Sequence, residues 1–102
     1  MVIYVDIDET ICSTCCPDRD YSKAAPIKQR ILKINDLYDA GDTIIYWTAR
    51  GSSTGIDWEI TTKEQLEDWG AKHHELKMGK PEYDLFIDDK NINSEVFFKD
   101  IK

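Results

Sequence analysis

A short apolar strand, an amphipathic helix and a second apolar strand follow one another at the start of this 102-residue chain. Residues 2–5 and 43–47 are rich in β-branched and aromatic side chains, which favours strands buried on both faces. The segment between them begins near Pro26, can end at Gly41, and carries apolar side chains at helical spacing: Ile27, Ile31, Ile34 and Tyr38. Two strands joined by a helix pair in parallel, so this region predicts a βαβ unit.

The rest of the chain repeats this alternation of helix and strand. Two capping-box patterns, Thr61-x-x-Glu64 and Thr62-x-x-Gln65, predict the start of a second helix that Gly70 ends. We expect short strands at 72–76 and 84–87, and a last helix capped by Asn93 or Ser94. The order predicts an α/β fold: a three-layer, Rossmann-like parallel sheet with helices on both faces. Ligands of such folds bind beyond the carboxyl ends of the strands.

The length and charge of the chain limit its architecture and its partners. A chain of 102 residues predicts one domain, 1–102, with no room for a cap domain, and dimerisation is compatible with its small core. A net charge of −7 argues against nucleic acid or an anionic membrane as a general partner. No apolar stretch approaches the roughly 20 residues of a membrane span, and the first residues predict a strand rather than a signal sequence. We therefore expect a cytoplasmic protein.

Three cysteines, Cys12, Cys15 and Cys16, lie close together in the first predicted loop. An odd number of clustered thiols without a secretory signal argues against a disulfide framework, so reduced thiols are expected. A zinc site that borrows His73 and His74 is disfavoured, because adjacent histidines rarely bind one ion together and no second cysteine pair follows. The sequence leaves the role of the three thiols open.

Pairs of aspartates follow two of the predicted strands. Asp6 and Asp8 come directly after residues 2–5, and Asp88 and Asp89 come directly after 84–87. At a separation of about 4 Å and an effective dielectric of about 20, two carboxylates repel by roughly 4 kcal/mol, so a cation is needed to hold them ionised. Carboxylate oxygens are the ligands that Mg²⁺ prefers, and the two pairs together predict a shared magnesium site.

Each of these features also has a purely structural interpretation. Aspartates after strands often cap helices or stabilise turns, which explains either pair taken alone. Thr48 can cap its own turn at the end of a strand, and Lys80, bracketed by Gly79 and Pro81, can be a solvated surface cation. All four elements fall beyond predicted strand ends, however, and that combination favours a catalytic site.

The order of these motifs resembles that of the haloacid dehalogenase superfamily of phosphotransferases. The resemblance rests on Asp6-x-Asp8-x-Thr10, Thr48, Lys80-Pro81 and Asp88-Asp89, and it spans nearly the whole chain. The segments around Thr48, Lys80 and Asp88 are similar to those of small capless members found with capsule and lipopolysaccharide sugar biosynthesis. The resemblance implies the fold of this superfamily without a cap domain.

The resemblance also implies roles for four catalytic residues. Asp6 would attack phosphorus and become a transient aspartyl phosphate, and Asp8 would protonate the leaving oxygen and later accept a proton from water. Thr48 would bind a phosphoryl oxygen, and Lys80 would pair with that oxygen and with Asp6. The activity implied is a magnesium-dependent phosphatase that acts on a small phosphomonoester, a sugar phosphate being the favoured class.

The resemblance further implies the metal ligands and the substrate contacts. Mg²⁺ would be bound by Asp6, by the backbone carbonyl of Asp8 and by Asp88, with Asp89 acting through water or orienting the lysine. Substrate contacts are expected from Thr10 and Arg50. The arginine would read a second anionic group, and its alternative is a surface ion pair worth little.

Several questions stay open at this level. Glu9 occupies the place where members of the superfamily usually have glycine, which weakens inferences about the substrate. The loops 11–25 and 51–60, which would select a substrate, have no predictable conformation. Two other functions compete: a phosphoacceptor domain that resembles a response-regulator receiver, and a catalytically silent assembly partner. The lifetime of phosphorylated Asp6 separates an enzyme from a switch.

Overall fold

A parallel three-stranded sheet with flanking helices forms the core of this computed structural model, which describes residues 1–14 and 20–101. Its elements, in chain order, are β1 (Val2–Val5), β2 (Cys12–Ser13), a 3₁₀ turn (Tyr21–Lys23), β3 (Ala25–Pro26), α1 (Lys28–Asp39), β4 (Thr43–Trp47), α2 (Glu59–Asp68), β5 (Glu75–Lys77) and α3 (Ser94–Phe97). The order in the sheet is β1-β4-β5. This is an α/β domain of Rossmann-like type, as the alternation of elements predicts.

The first two predicted strands form with the predicted bounds and pair in parallel. The register places Ile3 beside Ile44 and Val5 beside Tyr46. The expectation that β1 is buried on both faces is wrong, because Val2 is exposed and Tyr4 is 50 % exposed. In the described part of the chain β1 has a strand neighbour on one side only, whereas β4 lies between β1 and β5 and is more deeply buried.

The helix α1 follows the predicted pattern, with its apolar stripe turned to the core. Ile31 and Ile34 are buried, and the helix ends before Gly41, whose φ of +101° suits glycine. Pro26 lies just before the helix, in β3, instead of in its first turn. The strands β2 and β3 form a short antiparallel pair, so the predicted loop 11–25 is anchored at both of its described ends. Residues 15–19, including Cys15 and Cys16, lie outside the described part.

The helix α2 begins earlier than the two capping-box patterns predict. It starts at Glu59, whose backbone N–H has no acceptor within the helix and instead donates to the Asp57 carboxylate at 2.9 Å. Thr62 therefore lies inside the helix, buried, and its hydroxyl donates to the Trp58 carbonyl at 2.7 Å. Gly70, with a φ of +70°, follows the helix end as predicted.

The C-terminal third differs most from expectation. A strand does form after α2, but at Glu75–Lys77 instead of 72–76, and α3 begins behind Asn93, whose side chain accepts from the Glu95 N–H at 2.8 Å. The strand predicted at 84–87 is absent: this segment has no regular structure, and Ile87 is 88 % exposed. An apolar sequence alone does not make a strand, because its backbone needs a partner to hydrogen-bond.

One apolar cluster joins the sheet to the helices. It combines Val5, Ile44 and Tyr46 from the sheet with Ile31 and Ile34 of α1, Leu66 of α2 and Phe98 after α3. These strand residues share one face, so that face carries the helices, and a helical layer over the opposite face stays a prediction. Among residues 1–14 and 20–101 there is no helix with the length and apolarity needed to span a bilayer.

Candidate functional site

Three of the four predicted motifs meet at one edge of the sheet. Because β1 and β4 are parallel neighbours, their carboxyl ends lie side by side, and they place Asp6 and Thr48 at the same edge. The backbone N–H of Lys80 donates to the Thr48 carbonyl at 3.0 Å, and the Thr48 N–H donates to the Lys77 carbonyl, also at 3.0 Å. These two bonds hold the segment from Lys77 to Lys80 against the end of β4.

Asp6 is a partly exposed carboxylate held between a cation and a hydroxyl. The Lys80 ammonium lies 3.4 Å from one carboxylate oxygen, and the Thr10 hydroxyl donates to the other at 3.1 Å. The Asp6 side chain is 37 % exposed, whereas that of Lys80 is 16 % exposed. The carboxylate is therefore oriented and accessible, as a nucleophile must be, and Thr10 serves here as its hydrogen-bond donor.

Asp8 is held by a buried arginine. The Nε atom of Arg50 lies 3.2 and 3.0 Å from the two carboxylate oxygens of Asp8, and Nη2 donates to Oδ1 at 2.8 Å. The Arg50 side chain has no exposed surface, and Asp8 is 22 % exposed. This differs from the expected substrate contact of Arg50, because the guanidinium is enclosed and engaged by the protein.

The rest of the Arg50 guanidinium is bound by α2 and covered by an aromatic ring. Its Nη1 atom donates to the Thr62 hydroxyl at 3.1 Å and to the Gln65 side-chain oxygen at 2.6 Å. The guanidinium carbon lies 4.9 Å from the centre of the Tyr21 ring, and the Gln65 amide donates to the Tyr21 carbonyl at 2.7 Å. Arg50 thus joins Asp8 to α2 and to the 3₁₀ turn.

Thr48 is 1 % exposed, and its hydroxyl oxygen accepts from the Arg50 backbone N–H at 3.1 Å. This is the turn-capping role that was the structural alternative for this residue. A hydroxyl that accepts one hydrogen bond still has its own proton to donate. The capping bond and a later bond to a phosphoryl oxygen are therefore compatible.

The second acidic pair is not assembled with the first into a metal-binding cluster. Asp88 lines the same cavity of about 630 Å³ as Asp6 and Asp8, while Asp89 donates its N–H to the Asp88 carboxylate at 2.8 Å. No group of three metal-binding side chains occurs within residues 1–14 and 20–101. The segment 84–87, which leads to Asp88, is exposed and irregular instead of pairing as a strand of the sheet.

A second cavity of about 580 Å³ opens on the same edge. It shares Asp6, Asp8 and Lys80 with the larger cavity, and Tyr21 and Arg50 form part of its wall. Asp6 therefore borders two cavities, both lined in part by the segment after Lys80, and only the second of them also by Tyr21 of the 3₁₀ turn.

Glu9 adopts a backbone conformation that usually requires glycine. Its φ is +62°, in the left-handed region, which explains mechanically why glycine suits this position. The Glu9 carboxylate accepts hydrogen bonds from the hydroxyl and the N–H of Thr14, and these bonds lower the Glu9 pKa below its usual value. The side chain thus bonds to the loop at Thr14, and Glu9 also forms part of the wall of the larger cavity.

Cys12 is a buried thiol beside the acid–base candidate. Its sulfur lies 3.5 Å from Asp8 Oδ1 and 3.9 Å from Arg50 Nη2. Burial, reinforced by the negative charge of Asp8, raises the Cys12 pKa to about 12. The thiol therefore stays protonated and acts as a weak hydrogen-bond donor, with none of the reactivity of a thiolate.

The two histidines make contacts within the fold. The ring nitrogen Nδ1 of His74 accepts from the Ile44 N–H at 3.1 Å, and that of His73 lies 2.9 Å from the Ala71 carbonyl. His74 also stacks on Tyr38 with ring centres 4.7 Å apart. Both histidines lie directly before β5, and these contacts indicate a structural role at the edge of the sheet.

The sequence motifs did not reveal the partners of Arg50. In the sequence, Thr62 and Gln65 were identified only as the two ends of a capping-box pattern. They lie three positions apart on one face of α2 and bind the guanidinium. Two polar residues at this spacing on a helix, next to the buried apolar Leu66, were the available signal. The pairing of Arg50 with Asp8, 42 positions earlier, left no local signal.

Comparison with known proteins supports the fold. The chain is similar to a crystal structure of a structural-genomics target from Vibrio cholerae, with a TM-score of 0.82 and 24 % sequence identity over 94 % of this chain and 85 % of that one. No protein-family model and no curated protein matches the chain. At this identity the likeness establishes a shared α/β architecture.

Proposed function

We propose that this chain is a magnesium-dependent phosphatase that hydrolyses a small phosphomonoester, a sugar phosphate in the first instance, through an aspartyl phosphate on Asp6. The observation that carries the proposal is the environment of Asp6: a carboxylate at the end of β1, 3.4 Å from the Lys80 ammonium and open to a cavity. The resemblance of the four motifs to the haloacid dehalogenase superfamily, capless members included, supports the same reaction. The cell compartment that we propose is the cytoplasm.

The donor chemistry of the cavity fits a magnesium ion. Asp6, Asp8 and Asp88 all line it, and magnesium favours carboxylate and carbonyl oxygens together with retained waters. Asp6, the backbone carbonyl of Asp8 and Asp88 would hold the ion, with Asp89 acting through a water or orienting Lys80. A bound ion would supply positive charge that neutralises the phosphoryl oxygens.

The residues of the chain divide the chemistry between two steps. An oxygen of Asp6 forms a bond to phosphorus while the bond to the leaving oxygen breaks, and Asp8 gives that oxygen its proton. A water oxygen then bonds to phosphorus, the bond to Asp6 breaks, and the proton from water returns to Asp8. Lys80 neutralises charge beside Asp6 in both steps, and the Thr48 hydroxyl donates to a phosphoryl oxygen.

The direct test is phosphate release from an aryl phosphate and from a panel of sugar phosphates, with Mg²⁺ and with a chelator. We expect turnover by the wild type with Mg²⁺, and none by Asp6→Asn, because an amide cannot attack phosphorus. Asp68→Asn, the same change at an exposed position of α2, is the matched control and should be as active as the wild type. Activity in Asp6→Asn equal to that of the control would refute the proposal.

Metal binding is tested separately, by titration calorimetry with Mg²⁺ alone. We expect the wild type to bind the ion and Asp88→Asn to bind it at least about 10-fold more weakly, because a neutral amide replaces a charged ligand. Equal binding by both proteins would remove Asp88 from the ligand set while leaving the role of Asp6 to the assay above.

A phosphoacceptor domain is the second candidate function, since the contact between Lys80 and Asp6 suits a stored phosphoryl group as well as a transient one. The two functions differ in the lifetime of phosphorylated Asp6. Labelling with a small phosphodonor and quenching in acid measures that lifetime. Loss of the label within seconds supports the enzyme, and persistence for minutes supports the switch.

A further inference from the structure

The strongest unassigned feature of the site is the enclosed arginine behind Asp8. Arg50 donates to both oxygens of the Asp8 carboxylate, and its side chain has no exposed surface. Buried arginines that bind carboxylates with two donors fix the direction of the carboxylate as well as its charge. The contact therefore constrains the group that the proposed reaction uses for proton transfer.

We propose that Arg50 is a positioning residue, which aims the Asp8 carboxylate at the oxygen that gains or loses a proton. The inference rests on the proposed phosphatase function and adds to it a residue that acts through Asp8. Arg50 is a better candidate for this role than for substrate binding, because α2 and the Tyr21 ring enclose its guanidinium.

Hydrogen bonds between Arg50 and α2 make the contact of Arg50 with Asp8 rigid. Nη1 is bound by Thr62 and Gln65, both on α2, so the guanidinium plane is fixed from the side opposite Asp8. Gln65 also donates to the Tyr21 carbonyl, which connects the support to the 3₁₀ turn. A carboxylate supported in this way keeps one orientation without contacts from the substrate.

A misdirected Asp8 affects the two steps of the reaction differently. With an aryl phosphate such as p-nitrophenyl phosphate, the leaving phenolate departs without a proton, so formation of the aspartyl phosphate does not depend on Asp8. Hydrolysis of the aspartyl phosphate still needs Asp8 to accept a proton from water. Loss of orientation should therefore slow the second step alone with this substrate.

Rapid-quench measurement of nitrophenolate release with Mg²⁺ tests the proposal. In Arg50→Met we expect a burst of one nitrophenolate per site, followed by a steady rate about 10- to 100-fold below that of the wild type. Arg50→Lys, which keeps the charge but not the two-donor geometry, should lie between the two. A loss of rate from the first turnover onward, without a burst, would indicate a merely structural role and overturn the inference.

A second variant keeps the test decisive if Arg50→Met does not fold. Gln65→Met leaves the arginine and its pair intact but removes one support, so we expect the same burst with a smaller loss of steady rate. Glu64→Gln, at an exposed position next to it on α2, is the matched control and should behave as the wild type. A Gln65→Met protein with wild-type kinetics in both phases counts against the inference.

The result separates this inference from the proposed function. If the wild type turns over substrate through Asp6 and the variants lose rate without a burst, only the positioning role fails. If the wild type shows no turnover that depends on Asp6, the proposed function and the positioning role fail together.

Discussion

At position 9 we expect the glycine variant to be more stable than the alanine variant, which is the reverse of the usual order. Glu9 has a φ of +62°, and this left-handed conformation costs a residue with a Cβ atom about 1–2 kcal/mol. Glycine avoids that cost but loses about 0.5–1 kcal/mol more in backbone entropy on folding. The balance makes Glu9→Gly more stable than Glu9→Ala by about 0.5–1 kcal/mol, because alanine keeps the backbone strain that glycine relieves.

The wild-type glutamate offsets the strain through its two hydrogen bonds to Thr14. On this exposed loop they contribute about 1 kcal/mol together, which Glu9→Ala loses and Glu9→Gly exchanges for relief of strain. We therefore expect wild type and Glu9→Gly to lie within about 0.5 kcal/mol of each other, with Glu9→Ala lowest.

The free energy of unfolding, measured by denaturant titration with tryptophan fluorescence, gives this order directly. The matched control is Glu64, an exposed position inside α2, where Glu64→Ala should exceed Glu64→Gly by about 1 kcal/mol. If the glycine variant is the more stable one at position 9 and the alanine variant at position 64, backbone conformation is the cause. An alanine variant at position 9 as stable as the glycine variant would refute the reasoning.

The same residue gives stability a defined pH dependence. The bonds to Thr14 lower the Glu9 pKa in the folded state below the ordinary value of 4.5. The stabilisation is therefore complete above the unfolded pKa and disappears as the pH falls through the folded one. The difference in unfolding free energy between wild type and Glu9→Gln should shrink as the pH is lowered from about 6 to about 3. A difference independent of pH would contradict this.

Three further predictions concern Gly51, Tyr46 and Cys12. Gly51→Ala should lower the free energy of unfolding by at least about 2 kcal/mol, because a Cβ atom there would lie 2.0 Å from the Ile56 carbonyl oxygen. Gly55 also has a positive φ but lies in open space, so Gly55→Ala should lower the free energy of unfolding by about half as much. Tyr46→Phe should raise the free energy of unfolding by up to about 1 kcal/mol, because the buried hydroxyl has no partner in the described part of the chain. Cys12, with a pKa of about 12, should resist iodoacetamide at pH 8 in the folded protein and react in urea, as read by peptide mass spectrometry.

Local patterns in the sequence determined the central part of this fold. The bounds of β1 and β4, their parallel pairing and the apolar stripe of α1 all follow from periodicities that act within a few residues. The same patterns placed Asp6, Thr48 and Lys80 beyond strand ends, and parallel pairing then brings those ends together. These features were predictable because they need only local propensity and the rule that two strands joined by a helix pair in parallel.

Tertiary structure decided the features that depend on distant partners. The segment 84–87 has a strand-like sequence but lies exposed, because strand formation needs a neighbouring backbone and not only apolar side chains. The sequence predicts a substrate contact for Arg50, with a surface ion pair as the alternative, yet packing of α2 and of the turn around Tyr21 encloses it against Asp8. Sequence thus specified which residues stand at the edge of the sheet, and only the folded chain determined which of them touch, because burial and pairing of charges depend on all elements at once.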